Sequence, residues 1–482
     1  MKNEKIWYEL DAFAKTYSSI ISEGRTTCFR LSALFSENID LKVLRNVAVL
    51  LEKKYPFYNS ELKKGIFWNY LQQKKTHFMI EEEKTYPCTD IQKDNPLRII
   101  YFNNKLSIEI AHFLTDGKGA MLFFQDLIEE YLEEKYFSER SRNRNFENVD
   151  IIIENKGKNK DEDKIEIKDK DLIKDKKMID FPKINGKIKN FENKSFLENK
   201  KKILEKNEEI FENDDEENGA KESKYVDLYE KYMQKVSKET TIKSAFHLPI
   251  KILEKGQYHI TTGEISADDL KMESKKHKTT IGKYLLAVYF KVLLDRYSSA
   301  KNLIVIGVPV DLRRIFEEKT YRNFFMNITP SVDASLGAYS LSEIITYLDN
   351  YFALKITKKE FYKSIYKAMN PMRNIVIKSV PYLVKRIFFP FIFDYYGERG
   401  YTTGFSNLGV FKIEKKYEKY LKGFRFLPPP SKRCKIKMGV ISDSKKVYIN
   451  FGNLTADYDI ERDFFVYLRK RGIRSKIITN YF

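Results

Sequence analysis

A chain of 482 residues exceeds one ordinary domain and leaves room for two or three. It is 42% hydrophobic and 14% aromatic, enough for a sizeable core. Lys and Arg outnumber Asp and Glu by 87 to 68, a net +19 that suits nucleic acid, an anionic membrane, a phosphorylated cofactor or an acidic carrier protein. Cys28, Cys88 and Cys434 are odd in number and widely spaced, which argues against a disulfide scaffold or a cysteine zinc site and for a reducing compartment.

The N-terminal segment "MKNEKIWYELDAFAKTYSSII" is interrupted by charges and has no signal-peptide core. Helical spacing follows in "LKVLRNVAVLLEKKYPFY", with Leu41, Leu44, Val47, Leu50 and Leu51 on one stripe. "LRIIYFNNKLSIEIAHF" predicts a hairpin around Asn-Asn-Lys, and helical spacing runs from Gly119 to about Tyr136. These elements make residues 1–137 a mixed α/β region. Residues 151–224 then carry 19 Lys/Arg and 20 Asp/Glu with few aromatics, so 138–224 is expected to be a flexible, charged low-complexity insertion.

Order is expected again over 225–482. "TIGKYLLAVYFKVLLDRY" predicts a helix, "NLIVIGVPVDL" a buried strand and "LSEIITYLDNYFALKI" a second helix. The apolar stretch 374–396 contains Lys378, Lys385, Arg386 and two prolines, too broken for a clean membrane span. "KIKMGVISDSKKVYINFGNL" predicts a hairpin and "DIERDFFVYLRKRGI" the closing helix. The expectation is a soluble, cytoplasmic protein.

Within the first region, "IEIAHFLTDGKGAMLFF" concentrates the chemistry. Strand alternation puts Leu106, Ile108, Ile110 and His112 on one apolar face, where desolvation keeps an imidazole neutral and able to act as a base. Asp116 could cap the following helix or bind a cation across the site, and Gly117 can take backbone angles that other residues resist. A satisfied core histidine beside a helix cap fits the hexad equally well. In "IGVPVDLRRIFEEKTYRNFFMNITP" a buried strand leads to Arg313, whose guanidinium could pair with a carboxylate such as Asp116.

His112-x-x-x-Asp116-Gly117 resembles the signature of the chloramphenicol-acetyltransferase-like, CoA-dependent acyltransferases, which include condensation domains and alcohol acetyltransferases. Gly307-x-Pro309-x-x-x-Arg313 is similar to the condensation-domain strand carrying the arginine partner of the motif aspartate. Phe324-Phe325-Met326-Asn327 resembles the segment after it, "TTGFSNLG" (402–409) resembles the Ser-Asn-x-Gly run of the bacterial alcohol-acetyltransferase branch, and residues 29–62 match the usual first strand and helix. One departure is Ala111, where condensation domains usually have a second histidine, which favours ester over peptide formation. The insertion also exceeds the expected crossover.

The resemblance implies an α/β (α+β) fold of two lobes, each a mixed sheet flanked by helices, with an active-site tunnel between them. It implies an O-acyltransferase that moves an acyl group, most simply acetyl, from acyl-CoA to an alcohol. His112 would be the general base, Asp116 and Arg313 the pair that fixes its loop, and Ser406, Asn407 or Asn327 the donors to the oxyanion. Residues 410–482, with 18 Lys/Arg against 7 Asp/Glu, would suit CoA phosphates or an acidic acyl carrier protein. No metal is expected, because His77, His247, His259 and His277 lack ligand spacing, and no nucleic-acid motif is present. The alternatives are a carrier-protein-dependent or amide-forming enzyme and a catalytically silent scaffold or membrane-surface protein. Apolar residues around 374–405 suggest a hydrophobic acceptor and leave a peripheral membrane contact open.

Overall fold

The computed structural model describes residues 6–22, 25–89, 93–138, 227–233, 244–393 and 397–480. Apart from Ser138, the expected insertion lies outside the described residues up to 226. The first half contains β1 (Trp7–Glu9), α1 (Ala12–Ile20), β2 (Cys28–Phe35), α2 (Leu41–Lys54), β3 (Ser60–Lys63), β4 (Tyr70–Gln73), β5 (Met79–Glu82), β6 (Leu97–Phe102), β7 (Lys105–Ala111) and α3 (Gly117–Tyr136). Next come β8 (His259–Ser266), α4 (Ala267–Lys276), α5 (Ile281–Arg296), β9 (Ile304–Asp311), β10 (Phe325–Ile328) and β11 (Ser331–Val332). The chain continues through α6 (Leu341–Lys355), α7 (Lys358–Arg373), α8 (Tyr382–Phe393), β12 (Thr403–Val410) and β13 (Leu421–Leu427). It ends with β14 (Ile436–Ser442), β15 (Lys446–Asn453), α9 (Asp459–Lys470) and β16 (Ser475–Thr479). Shorter helices carry no label.

Two mixed sheets organise two hydrophobic cores. The N-terminal sheet has the order β13-β2-β7-β6-β5, antiparallel except for β5 against β6. α2 and α3 cover it, and the stripe on α2 is Val43, Leu44, Val47, Ala48 and Leu51, with Leu41 and Leu50 only half-buried. The C-terminal sheet runs β10-β9-β12-β14-β15-β8-β16, with β11 also on β9, and packs with α5, α6 and α9 in the second core. Strand β13 comes from the C-terminal half but pairs with β2, Leu31 opposite Phe426, so chain order and lobe membership differ there.

Polar register marks hold β7, the strand that ends at the site. Arg30, Glu109 and Arg98 are direct partners across β2, β7 and β6. Glu109 is buried and accepts from Arg30 Nε at 2.9 Å, Arg98 Nη2 at 2.5 Å and the Cys88 amide at 2.6 Å. A slip of one residue would turn this triad into the apolar layer formed by Leu106, Ile108 and Ile110. The β6–β7 turn puts Asn103 at φ 50°, a left-handed conformation that asparagine tolerates.

Candidate active site

β7 ends at Ala111, and residues 112–115 turn the chain into α3. Asp116 is the N-cap of that helix, and its Oδ1 accepts from the amides of Lys118 at 3.1 Å and Gly119 at 2.9 Å. From the other half of the chain, Arg313 grips the same carboxylate with two teeth, Nη1 to Oδ2 at 2.9 Å and Nη2 to Oδ1 at 3.0 Å. The Phe324 amide adds a bond to Oδ2 at 2.8 Å. Capping and clamping are therefore one structure. Burial opposes the arginine's charge, but Asp116 and Asp311 outweigh it and raise its pKa.

Arg313 sits in the one-turn helix Arg313–Phe316 just after β9 and also gathers the loop that follows. Its Nε donates to the Thr320 carbonyl at 2.9 Å and its Nη2 to the Arg322 carbonyl at 2.5 Å. Thr115 Oγ1 donates to the Tyr321 carbonyl at 2.5 Å from the α3 side. The loop 320–324 is thus tied to the His112 turn from both halves, and it presents Asn323.

His112 Nδ1 stands 3.4 Å from Asn323 Oδ1. The other end of that amide is engaged, because Asn323 Nδ2 donates to Asp11 Oδ2 at 3.1 Å, with Asp11 itself the N-cap of α1. This orientation assigns the imidazole proton to Nδ1 and leaves the lone pair on Nε2. Tyr17 of α1 stacks on the ring with centroids 4.7 Å apart, while Phe29 and Phe325 flank it at 5.1 and 5.5 Å. Burial lowers the His112 pKa to about 4, with Asp116 and Asn323 opposing the shift and Lys437 adding to it. Some of the residue's surface nevertheless remains accessible. A neutral imidazole, flanked by Asn323 and not sealed in hydrocarbon, stands where the His112 turn meets the loop 320–324.

No protein-family model matches the chain. None of the curated proteins matches it either. Solved structures do match, over nearly the whole length. F. sporotrichioides TRI101 complexed with coenzyme A and T-2 gives a TM-score of 0.54 at 9% identity, covering 98% of this chain and 99% of that one. The TRI3 trichothecene 15-O-acetyltransferase of Fusarium sporotrichioides gives 0.51 at 11%, covering 95% and 92%. A variant of the starter condensation domain of rhizomide synthetase RzmA, in complex with C8-CoA, gives 0.52 at 10%, covering 96% and 94%. This chain has the chloramphenicol-acetyltransferase-like fold, in the two-lobed form of condensation domains.

In this fold the remaining expected residues separate by strand alternation. On β12, Gly404 and Ser406 share one face, and Gly404 is paired with Lys437 of β14, the lysine whose charge acts on His112. Ser406 therefore lies on the same side of the sheet as Lys437. Asn407 points the other way: its Oδ1 accepts from Gly409 N at 2.9 Å, and its amide nitrogen reaches Gly282 at the start of α5. Asn327, exposed on β10, bonds Tyr401, and Phe325, two residues before it, flanks the ring.

Gly117 has no left-handed backbone. What excludes a larger residue there is Leu408, whose Cδ2 would lie 2.6 Å from an added Cβ. The tighter position is Gly119, where a Cβ would meet Thr115 Oγ1 at 2.2 Å and the Tyr321 carbonyl oxygen at 2.4 Å. Asn323, Asp11, Tyr17 and Gly119 escaped the sequence reading. Asn323 is adjacent to the Phe-Phe-x-Asn segment and was the nearest available signal. Ala111 is buried in the N-terminal core, so no second imidazole stands beside His112. Among the described residues no three His, Cys, Asp or Glu side chains are grouped to hold a metal ion.

Proposed function

We propose that this chain is a CoA-dependent acyltransferase that moves an acyl group, acetyl in the simplest case, from a thioester to an alcohol. The observation that carries the reading is the neutral imidazole of His112, anchored by Asn323 on a turn that Asp116 and Arg313 lock. His112 Nε2 takes the hydroxyl proton as the alcohol oxygen bonds to the thioester carbon. The tetrahedral intermediate then collapses, the carbon–sulfur bond breaks, and the proton passes from His112 to the leaving thiolate. Base catalysis of this kind contributes about 10²–10⁴ in rate.

Ser406 is the proposed donor to the oxyanion: it shares a face of β12 with Gly404, whereas Asn407 lies on the opposite face and Asn327 bonds Tyr401. Asp116 and Arg313 act through position alone. The basic C-terminal segment 410–482 would meet the phosphates of CoA. On this proposal donor and acceptor would approach His112 from separate sides.

The test is thiol release from acetyl-CoA in the presence of a panel of alcohols. His112→Ala should lose at least about 100-fold in kcat while its circular dichroism and melting temperature stay near wild type. Unchanged turnover in that variant removes the mechanism. Release from an acylated carrier protein but not from acyl-CoA would transfer the reading to a carrier-dependent enzyme.

A further inference from the structure

Helix α8 is amphipathic in the reverse sense. Its inward face is the more polar one. The Tyr382 hydroxyl accepts from Asn69 Nδ2 at 2.8 Å, and Lys385 Nζ donates to the carbonyls of Phe67 at 3.0 Å and Lys378 at 3.2 Å. The same ammonium lies 3.7 Å above the Trp68 ring, which Phe389 meets edge-on at 5.6 Å. The outward face is Leu383, Val384, Ile387, Phe388, Phe391 and Ile392, at the spacing of a single helical stripe. Leu383 is 70% exposed and Phe391 71%.

The stripe is extended by the tip of the β3–β4 loop. Ile66 is 77% exposed, and its carbonyl accepts from the Tyr382 amide at 2.8 Å, so tip and helix are joined. An apolar surface of this kind is uncommon on a protein with no partner for it. Cations border it. Lys93 has its pKa lowered by burial and then by the charges of Arg386 and Lys64, with Asp94 opposing, which places the three cations together. Residues 375–393 contain no Asp or Glu.

We propose that α8 and the Ile66–Phe67 tip dock on an anionic lipid bilayer, with the stripe entering the acyl boundary while Lys64, Lys93 and Arg386 meet the headgroups. No helix among the described residues is long and apolar enough to cross a membrane, so the contact is peripheral. Phe393, the last residue of α8, lies 6.4 Å from Tyr17, and Tyr17 stacks on His112. On the acyl-transfer reading, from which this step alone follows, the docked face would pass a membrane-dissolved alcohol to the base.

Flotation of the full chain tests the surface without reference to activity, using vesicles of phosphatidylcholine alone and of phosphatidylcholine with phosphatidylglycerol. Co-flotation is expected with the second only, and equally for His112→Ala. Ile387→Asp with Phe391→Asp should abolish it, and Arg386→Ala should weaken partition about fivefold. A chain that floats with neither vesicle overturns the proposal. So does flotation that survives the paired aspartates. A concentration-dependent dimer abolished by those aspartates, without flotation, would assign the stripe to a second copy and overturn it too. Flotation without acyl transfer would count against the enzymatic reading alone.

Discussion

The His112 turn and the Gly404–Ser406 face of β12 are built in contrary ways. On the first side Asp116 alone accepts five hydrogen bonds, and Asn323, Arg313 and Thr115 connect that turn to three other segments. On the second, Gly404 has no side chain and Ser406 is a small hydroxyl in partly accessible surroundings. The contrast teaches where rigidity is needed. On the acyl-transfer proposal, a base must hold one tautomer and one direction, whereas the β12 face would have to leave room for a thioester and an alcohol.

Breaking the rigid side should have the largest effect. Arg313→Ala leaves the buried Asp116 carboxylate without its counter-charge, and a loss of about 3–5 kcal/mol in unfolding free energy is expected by denaturant titration. A loss below about 1 kcal/mol would mean that the cap bonds alone hold the turn. On the open side, Ser406→Ala should leave stability unchanged and lower kcat by about 10²–10³ if the hydroxyl meets the oxyanion. A change confined to KM would remove it from that role.

The two glycines sharpen the comparison further. Gly119→Ala pushes a methyl against a backbone carbonyl that cannot retreat, and about 1–3 kcal/mol of destabilisation is expected. Gly117→Ala meets only the end of the Leu408 side chain, so it should cost less than Gly119→Ala in the same melting series. The reverse order would show that the motif glycine is kept for its backbone.

The smallest expected effect is that of the tautomer anchor. Asn323→Ala removes one weak hydrogen bond and should reduce kcat by about tenfold or less, with KM little changed. The pH profile supplies a second readout. With the His112 pKa depressed to about 4, the ring is neutral throughout the physiological range, and wild-type kcat/KM should fall only as pH drops through that value. Asn323 opposes the depression, so its removal should move the acid limb lower still. An acid limb near the ordinary histidine value of about 6.5 would mean that the ring is solvated and the pocket open.

Much of this was legible from the chain itself. Hydrophobic period placed β7, α3, α5, β9 and α9 because each buries one face, and burial imposes its repeat on the residues. The partnership of Asp116 with Arg313 was also accessible, through the motif order and the need of a buried charge for its counterpart. The reading erred where a residue's purpose depends on what approaches from afar. Gly117 was credited with backbone freedom, and the structure shows crowding by Leu408 instead. The amide that the structure places beside the ring is Asn323, four positions before Asn327, a residue the sequence reading did not single out.

What the sequence determined by itself was local: period, caps, turns and a strand-end histidine whose neighbours are apolar. What only the tertiary structure decided was the meeting of Asp11, Asn323 and His112, the passage of β13 into the other lobe's sheet, and the outward turn of the α8 stripe. These depend on segments up to hundreds of residues apart. No window of neighbouring residues encodes such contacts, because their energy appears only when both partners are packed.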